Sequence, residues 1–175
     1  MKNLITFLSL ALITSCSSVQ VTYDYDKQTD FSQFKTYALT KESLELPVSE
    51  LNRDRVIKAV QDEMKTKGFT ESDNPDIAVD LFIKTQQEIE ATATTTGAGY
   101  GPYRYGWGGG FTTTQVDYNQ YTNGSLFISF VNMKTQKLVW QGIGTKTLDE
   151  NLSPDKREQA INYSIQQILS KYPPQ

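Results

Sequence analysis

Residues 123–142 contain Asn123-Gly124-Ser125-Leu126-Phe127-Ile128-Ser129-Phe130-Val131, then Lys134-Thr135-Gln136, then Leu138-Val139-Trp140-Gln141-Gly142. The two apolar runs are short, rich in β-branched and aromatic residues, and bounded by turn-forming residues, which is the pattern of paired strands. Asn-Gly is the preferred pair for a two-residue hairpin turn, so Asn123-Gly124 predicts a hairpin entering the first run. Lys134–Gln136 predicts the turn between the two runs. In an apolar strand, Trp140 is expected to be core rather than a ligand-stacking residue.

The same pattern continues toward the N-terminus. Val19, Val21, Tyr23 and Tyr25 alternate with polar residues, as in a half-buried strand, and Thr36–Leu39 forms a second short strand. Ile77–Lys84 is apolar enough on both faces for a central strand. Glu88–Thr96 and Phe111–Tyr121 are Thr-rich and strand-like. Two helices interrupt the strands. One runs from about Glu50 to Lys67 after Ser49, with an apolar stripe of Leu51, Val56, Ile57, Val60 and Met64 and Gly68 as its stop. The other opens at Ser153-Pro154 and buries Ala160, Ile161, Ser164, Ile165, Ile168, Leu169 and Tyr172 before Pro173-Pro174. The expected fold class is α+β: a mostly antiparallel sheet of about six or seven strands, largely joined by hairpins, with two helices packed on one face. A mainly β-barrel fold is the weaker alternative.

The N-terminus decides the setting. Met1-Lys2-Asn3 is short and positive, Leu4–Ile13 is apolar, and Thr14-Ser15 lead to Cys16, the only cysteine. A transmembrane helix needs roughly 20 apolar residues, and this run is ten. Ile13-Thr14-Ser15-Cys16 resembles a bacterial lipobox, in which diacylglycerol is attached to the thiol before cleavage. Residues 1–15 are therefore read as a lipoprotein signal peptide, 16–18 as a lipidated tether, and 19–175 as one α+β domain with a Gly/Tyr-rich loop at 97–110. Two or three acyl chains on Cys16, at about 0.8 kcal/mol per buried CH₂, hold such a chain in a bilayer. Ser17 and the late first acid, Asp24, favour the outer membrane of a bacterial cell envelope, facing the periplasm.

Composition narrows the chemistry. Loss of residues 1–15 leaves 160 residues and shifts the formal charge from −3 to −4, because Lys2 is removed. The acidic balance and the lack of a basic run argue against nucleic acid as a partner. There is no histidine, which excludes Ser-His-Asp and Cys-His nucleophilic arrangements and the commonest zinc ligand. A lipidated Cys16 leaves no thiol for disulfide or metal chemistry.

Three stretches resemble a known family. These are Asp30-Phe31-Ser32-Gln33-Phe34-Lys35-Thr36-Tyr37, then Pro75-Asp76-Ile77-Ala78-Val79, then Gly124-Ser125-Leu126-Phe127-Ile128 through Leu138-Val139-Trp140-Gln141-Gly142. They are similar to the signature segments of the bacterial lipoprotein domain known as domain-of-unknown-function family 4136. Gln141 stands where arginine is common in that family, and Ser125 where threonine is common. The resemblance covers about Val19 to Leu169 and implies a periplasm-facing lipoprotein with an α+β fold and no known catalytic residues.

Candidate sites are few. Residues 97–110 hold seven glycines with Tyr100, Tyr103, Arg104, Tyr105 and Trp107. No Gly-Lys-Ser/Thr follows, so this is not a phosphate loop. The aromatics and Arg104 are candidate ligand-binding residues for a glycan or small amphiphile, set against the plainer reading of a glycine-rich connection. Asp24, Asp26 and Asp30 imitate calcium-loop spacing, but Thr29 stands where the loop needs glycine and Lys35 where it needs glutamate. Turn capping is the simpler role. Asp76 and Asp80 with Asp117 offer the two carboxylates that general acid–base work needs, although Asp76 after Pro75 is more simply a turn acid. The expected protein is non-enzymatic, with no metal and no cofactor. Its partners are the lipid bilayer through acylated Cys16 and an envelope protein or peptidoglycan.

Overall fold

A computed structural model describes residues 19–97, 112–149 and 151–174. The elements in chain order are β1 (Gln20–Tyr25), β2 (Thr36–Leu39), α1 (Glu50–Thr66), β3 (Thr70–Glu71), β4 (Ile77–Gly97), β5 (Thr112–Asn132), β6 (Lys137–Thr147) and α2 (Pro154–Leu169). Short 3-10 turns lie at Phe31–Gln33 and Glu42–Glu45. The strands form one six-stranded sheet in the order β1-β6-β5-β4-β2-β3. The fold class is α+β, as the sequence indicates.

Sequence periodicity decides which face is buried. On β4, Ile77, Val79 and Leu81 are buried while Phe82 is 54% exposed. The register places Val79 beside Phe130, Phe130 beside Trp140 and Trp140 beside Tyr25, and the next row is Leu81, Ile128, Gly142 and Tyr23. Apart from the exposed Tyr23, these rows meet Val56, Val60 and Met64 of α1 and Ile165, Ile168 and Leu169 of α2 in one core. Trp140 is fully buried, with Phe130 and Tyr172 rings at 4.9 and 5.5 Å. Ile168 lies over Gly142 and Gly144, where a Cβ would come within 2.6 Å of its side chain. Glycine there lets the helix approach the strand closely.

Four sequence expectations need correction. Asn123-Gly124 is not a hairpin turn but the middle of β5, with Asn123 paired to both Gln86 and Thr147. Strands flank it on both sides, Thr147 Oγ1 donates to Asn123 Oδ1 at 2.9 Å, and Leu148 packs where a Cβ on Gly124 would stand. Tertiary pairing overrides the local turn preference. The runs expected as separate strands are continuous in β4 and in β5, each 21 residues long. The hairpin connections are also fewer than expected, because β2 runs parallel to both β3 and β4. The long α1 excursion between β2 and β4 makes that direction possible. Finally, β4 is buried on one face only.

The expected turn near residue 134 is present. Asn132 Oδ1 accepts the N–H groups of Lys134 and Thr135, and Gln136 takes a positive φ of 56°. Ser153 caps α2 through its side chain, whereas Ser49 precedes α1 and makes no side-chain cap.

Candidate functional site

The face of the sheet opposite the helices carries an ordered pattern. Thr22, Ile143, Phe127 and Phe82 lie in one row across β1, β6, β5 and β4. The Phe82 and Phe127 rings meet edge to face at 5.8 Å and 61°. Polar rows border them. On one side Gln141 Nε2 donates to Ser129 Oγ at 2.9 Å, and on the other Ser125 and Thr145 share a hydroxyl hydrogen bond of 2.9 Å. The result is an apolar band, Ile143–Phe127–Phe82, framed by hydrogen-bonded polar rows and ending at exposed Phe82. Val131 and Leu138, the latter 51% exposed, continue apolar surface nearer the β5–β6 turn.

Sequence reasoning missed this band, because Ile77–Lys84 reads as buried on both faces. The available signal was the coincidence of apolar residues at outward positions of three strands, but it becomes visible only once their register is known.

Asp80 sits at the same edge with its neighbours satisfied. It accepts from Thr40 Oγ1 at 2.9 Å and from Ser43 Oγ at 3.5 Å. Ser43 is fully buried and takes the N–H of Leu81 at 2.7 Å, closing the edge of β4 where β2 ends. Asp76 receives the backbone N–H groups of Lys35 and Thr36 at 2.9 and 3.0 Å and the Thr36 hydroxyl at 3.0 Å. These bonds, the Lys35 N–H first, hold its carboxyl below the usual carboxylate range. Both acids fasten β2 to β4. The register puts Asp80 opposite Ser129 and Asp117 opposite Thr92. Twelve rungs at about 3.3 Å separate those positions, roughly 40 Å, far beyond the spacing of a hydrolytic carboxylate pair, at most about 9.5 Å. The fold does not bring them together.

The Asp24, Asp26 and Asp30 set resolves into local turns. Asp26 accepts from Gln28 N–H at 2.9 Å and Thr29 Oγ1 at 3.0 Å, and Asp30 from Ser32 Oγ and N–H at 2.7 and 3.0 Å. Both carboxyls are lowered by these bonds, Asp26 chiefly by the Gln28 N–H and Asp30 by the Ser32 hydroxyl. Among the described residues, no three acidic, cysteine or histidine side chains gather in a metal-binding group. An open cleft of about 510 Å³ lies between the 3-10 turn at 42–45, α1 and β3, lined by Leu39, Leu44, Gln61, Glu71 and Asp73. Gln61 Nε2 spans to Glu71 Oε2 at 3.3 Å there. Nothing in the sequence marked it.

Cys16, Tyr100, Tyr103, Arg104, Tyr105 and Trp107 lie outside the described residues. Among the described residues, no helix is long and apolar enough to cross a membrane.

The fold is similar to that of a solved PDZ domain protein from Parabacteroides distasonis, with 16% identity and a TM-score of 0.50. That alignment covers 89% of this chain but only 35% of the other, so this chain spans about a third of its length. It is also similar to PelC from Paraburkholderia phytofirmans, solved as a dodecamer, with 11% identity, a TM-score of 0.52, and coverage of 87% of this chain and 96% of that one. At these identities the likeness is one of fold alone. No match is found among curated proteins. The family model described as "Domain of unknown function (DUF4136)" matches residues 21–174, nearly the whole folded region, and the chain belongs to that family.

Proposed function

We propose that this protein is a non-enzymatic, lipid-anchored lipoprotein of the bacterial envelope, held at the outer membrane on its periplasmic side and acting through contacts with envelope proteins or the cell wall. The observation that carries this reading is the apolar band Ile143–Phe127–Phe82 on the helix-free face. Its position suits an anchored domain. β1 begins at Gln20, four residues after Cys16, and the band starts in the row of Thr22. Six extended residues span at most about 20 Å, so a lipid on Cys16 keeps the band close to the bilayer. An exposed apolar strip rimmed by polar groups is the usual form of a contact surface. The PelC neighbour assembles as a dodecamer, so copies of this chain belong among the partners to be sought.

The test has two arms in intact cells. Cys16→Ala should move the chain from the membrane fraction to the soluble one and abolish acyl labelling. Membrane retention of that variant would sink the anchor. Replacing Phe82 and Phe127 with Asp should remove a reproducible crosslinked partner while leaving the melting temperature close to wild type. Crosslinks unchanged by that pair would remove the band as the contact. Loss of peptidoglycan retention when Tyr103, Tyr105 and Trp107 become Ala would instead favour the glycan-binding alternative.

A further inference from the structure

The outward side chains of the helix-free face form five rows across the sheet. The apolar row Thr22–Ile143–Phe127–Phe82 is the middle one. Toward the β5–β6 turn lie Asp24–Gln141–Ser129–Asp80 and then Leu138–Val131–Ala78. On the other side lie Gln20–Thr145–Ser125–Lys84 and then Thr147–Asn123–Gln86. On β4, then, a carboxylate stands one row from Phe82 in one direction and an ammonium one row in the other. About 13 Å of extended strand separates Asp80 from Lys84, so the strand keeps them from pairing with each other. Thr40 and Ser43 hold Asp80 Oδ1 and fix that carboxylate at the edge of the face.

We propose that this face is covered by the same face of a second copy of the chain, with the twofold axis lying in the interface along Ile143–Phe127–Phe82. This rests on the reading of that row as a contact surface, and it names the occupant. The rotation keeps the strand order and reverses the strand direction. Phe82, Phe127 and Ile143 then meet their own counterparts. Each flanking row meets the opposite row of the second copy, so Ser129 meets Ser125, Gln141 meets Thr145 and Asp80 meets Lys84. Symmetry makes the charged contact twice. The product is a pair of aligned sheets about 10 Å apart, with the helices of both copies outside.

Charge selects both the occupant and the axis. The face carries its own complement, because opposite charges stand at equal distances on either side of its apolar row. The other in-plane twofold, parallel to the strands between β5 and β6, would exchange β4 with β1. It would set Asp80 against Asp24 of the second copy, twice, and Phe82 against Thr22. Like charges facing each other oppose association. The area is sufficient as well. Five rows over four strands cover roughly 18 Å by 33 Å, or about 600 Å² on each copy. The pair buries about 1,200 Å², at the lower end of a stable specific interface.

Cysteine pairing tests the axis. Ile143→Cys and Thr147→Cys are each introduced into the full-length chain, expressed with its leader, and oxidised in intact cells with copper phenanthroline. The chain with Cys16 alone sets the background. Ile143 lies on the axis and faces its counterpart. Thr147 lies on the same strand and is the more exposed of the two, but in the pair it stands about 26 Å from its own counterpart. Ile143→Cys should raise a disulfide-linked homodimer several-fold over background, and Thr147→Cys should not. Both at background, or equal linking by the two, would overturn the pairing. Ile143→Cys joined only to a different protein would overturn it too, yet would leave the row a contact surface. In detergent the purified full-length chain should sediment as a dimer. Lys84→Glu should raise its Kd by about tenfold or more with native circular dichroism. Adding Asp80→Asn, whose side-chain oxygen can still accept from Thr40 and Ser43, should recover much of that loss. A wild-type monomer at high micromolar concentration, no effect of Lys84→Glu, or no recovery in the double variant would each refute the pairing.

Discussion

Gly142 and Gly124 occupy the same sheet, yet replacing each with Ala should have very different effects. A Cβ at Gly142 would stand 2.5 Å from Trp140 Cη2, 2.6 Å from Ile168 Cγ2 and 3.0 Å from Trp140 Cζ2. Trp140 and Ile168 are both fully buried, so neither can swing into solvent. Overpacking of a closed core costs typically 1–3 kcal/mol, and two rigid neighbours put Gly142→Ala at about 2–3 kcal/mol. At roughly 2–4 °C per kcal/mol for a chain of this size, the melting temperature should fall by about 5–10 °C.

The three atoms nearest a Cβ at Gly124 all belong to the Leu148 side chain, the first at 2.8 Å, and Leu148 is 45% exposed. It can rotate away, and the reduced entropy of the unfolded chain offsets the remainder by about 0.4–1 kcal/mol. Gly124→Ala should be close to neutral. Gly144 provides the internal control. Its contacts under 3 Å are both with Ile168, at 2.6 and 2.7 Å. Ile168→Ala should therefore relieve Gly144→Ala almost fully and Gly142→Ala only in part, with a coupling of at least ~1 kcal/mol in the first double-mutant cycle. Urea unfolding followed by circular dichroism measures all of these. Equal costs for Gly142→Ala and Gly124→Ala, or no coupling to Ile168, would refute the close helix–strand approach on which the packing rests.

Other perturbations probe the β2–β4 junction and the core. Ser43→Ala leaves the Leu81 N–H without its 2.7 Å acceptor in a buried site and should cost about 1–3 kcal/mol in urea unfolding; a change within error would show that another group closes that edge. The low pKa of Asp76 means that its ionised form is favoured by folding, so its contribution is complete above the ordinary carboxylate range and fades as pH falls through its own lower pKa. The stability gap between wild type and Asp76→Asn should accordingly narrow below about pH 4, and a gap constant with pH would contradict the hydrogen-bonded carboxylate. Tyr172 is 3% exposed and its hydroxyl has no hydrogen-bond partner among the described residues. Tyr172→Phe should leave the melting temperature unchanged or raised, and a loss of more than ~1 kcal/mol would reveal a partner for that oxygen. Burial pushes the Tyr172 pKa up, so folding favours its neutral form. Wild type should lose stability above about pH 10 more steeply than the Phe variant does.

Local patterns in the sequence located most elements. The apolar stripe after Ser49 marks α1 to within a residue of its observed end, and Ser153-Pro154 marks the start of α2. Alternation identifies β1 and the inward set Ile77, Val79 and Leu81, and the apolar setting of Trp140 marks it as core. The misreadings share a cause. Asn123-Gly124 has the composition of a turn, but partners on both sides hold it extended, and those partners lie 24 and 37 residues away in the chain. The run at 77–84 is apolar except at Asp80 and Lys84, so nothing local separates a strand buried on both faces from one whose Phe82 remains outside. The apolar band was illegible for the same reason: Phe82, Phe127 and Ile143 are far apart in sequence, and only register puts them in one row.

The sequence by itself determined the fold class and the side chains available for chemistry. The lack of histidine, the single Cys16 after an apolar run, the two amphipathic helices and the alternating strands are all properties of composition and short-range order. The tertiary structure decided which way β2 runs, how far β4 and β5 extend together, and which side of the sheet faces away from the helices. Those features depend on long-range pairing and on where α1 and α2 dock. A period-two pattern states that a strand has two faces, but only the packing of the helices chooses the one that is buried.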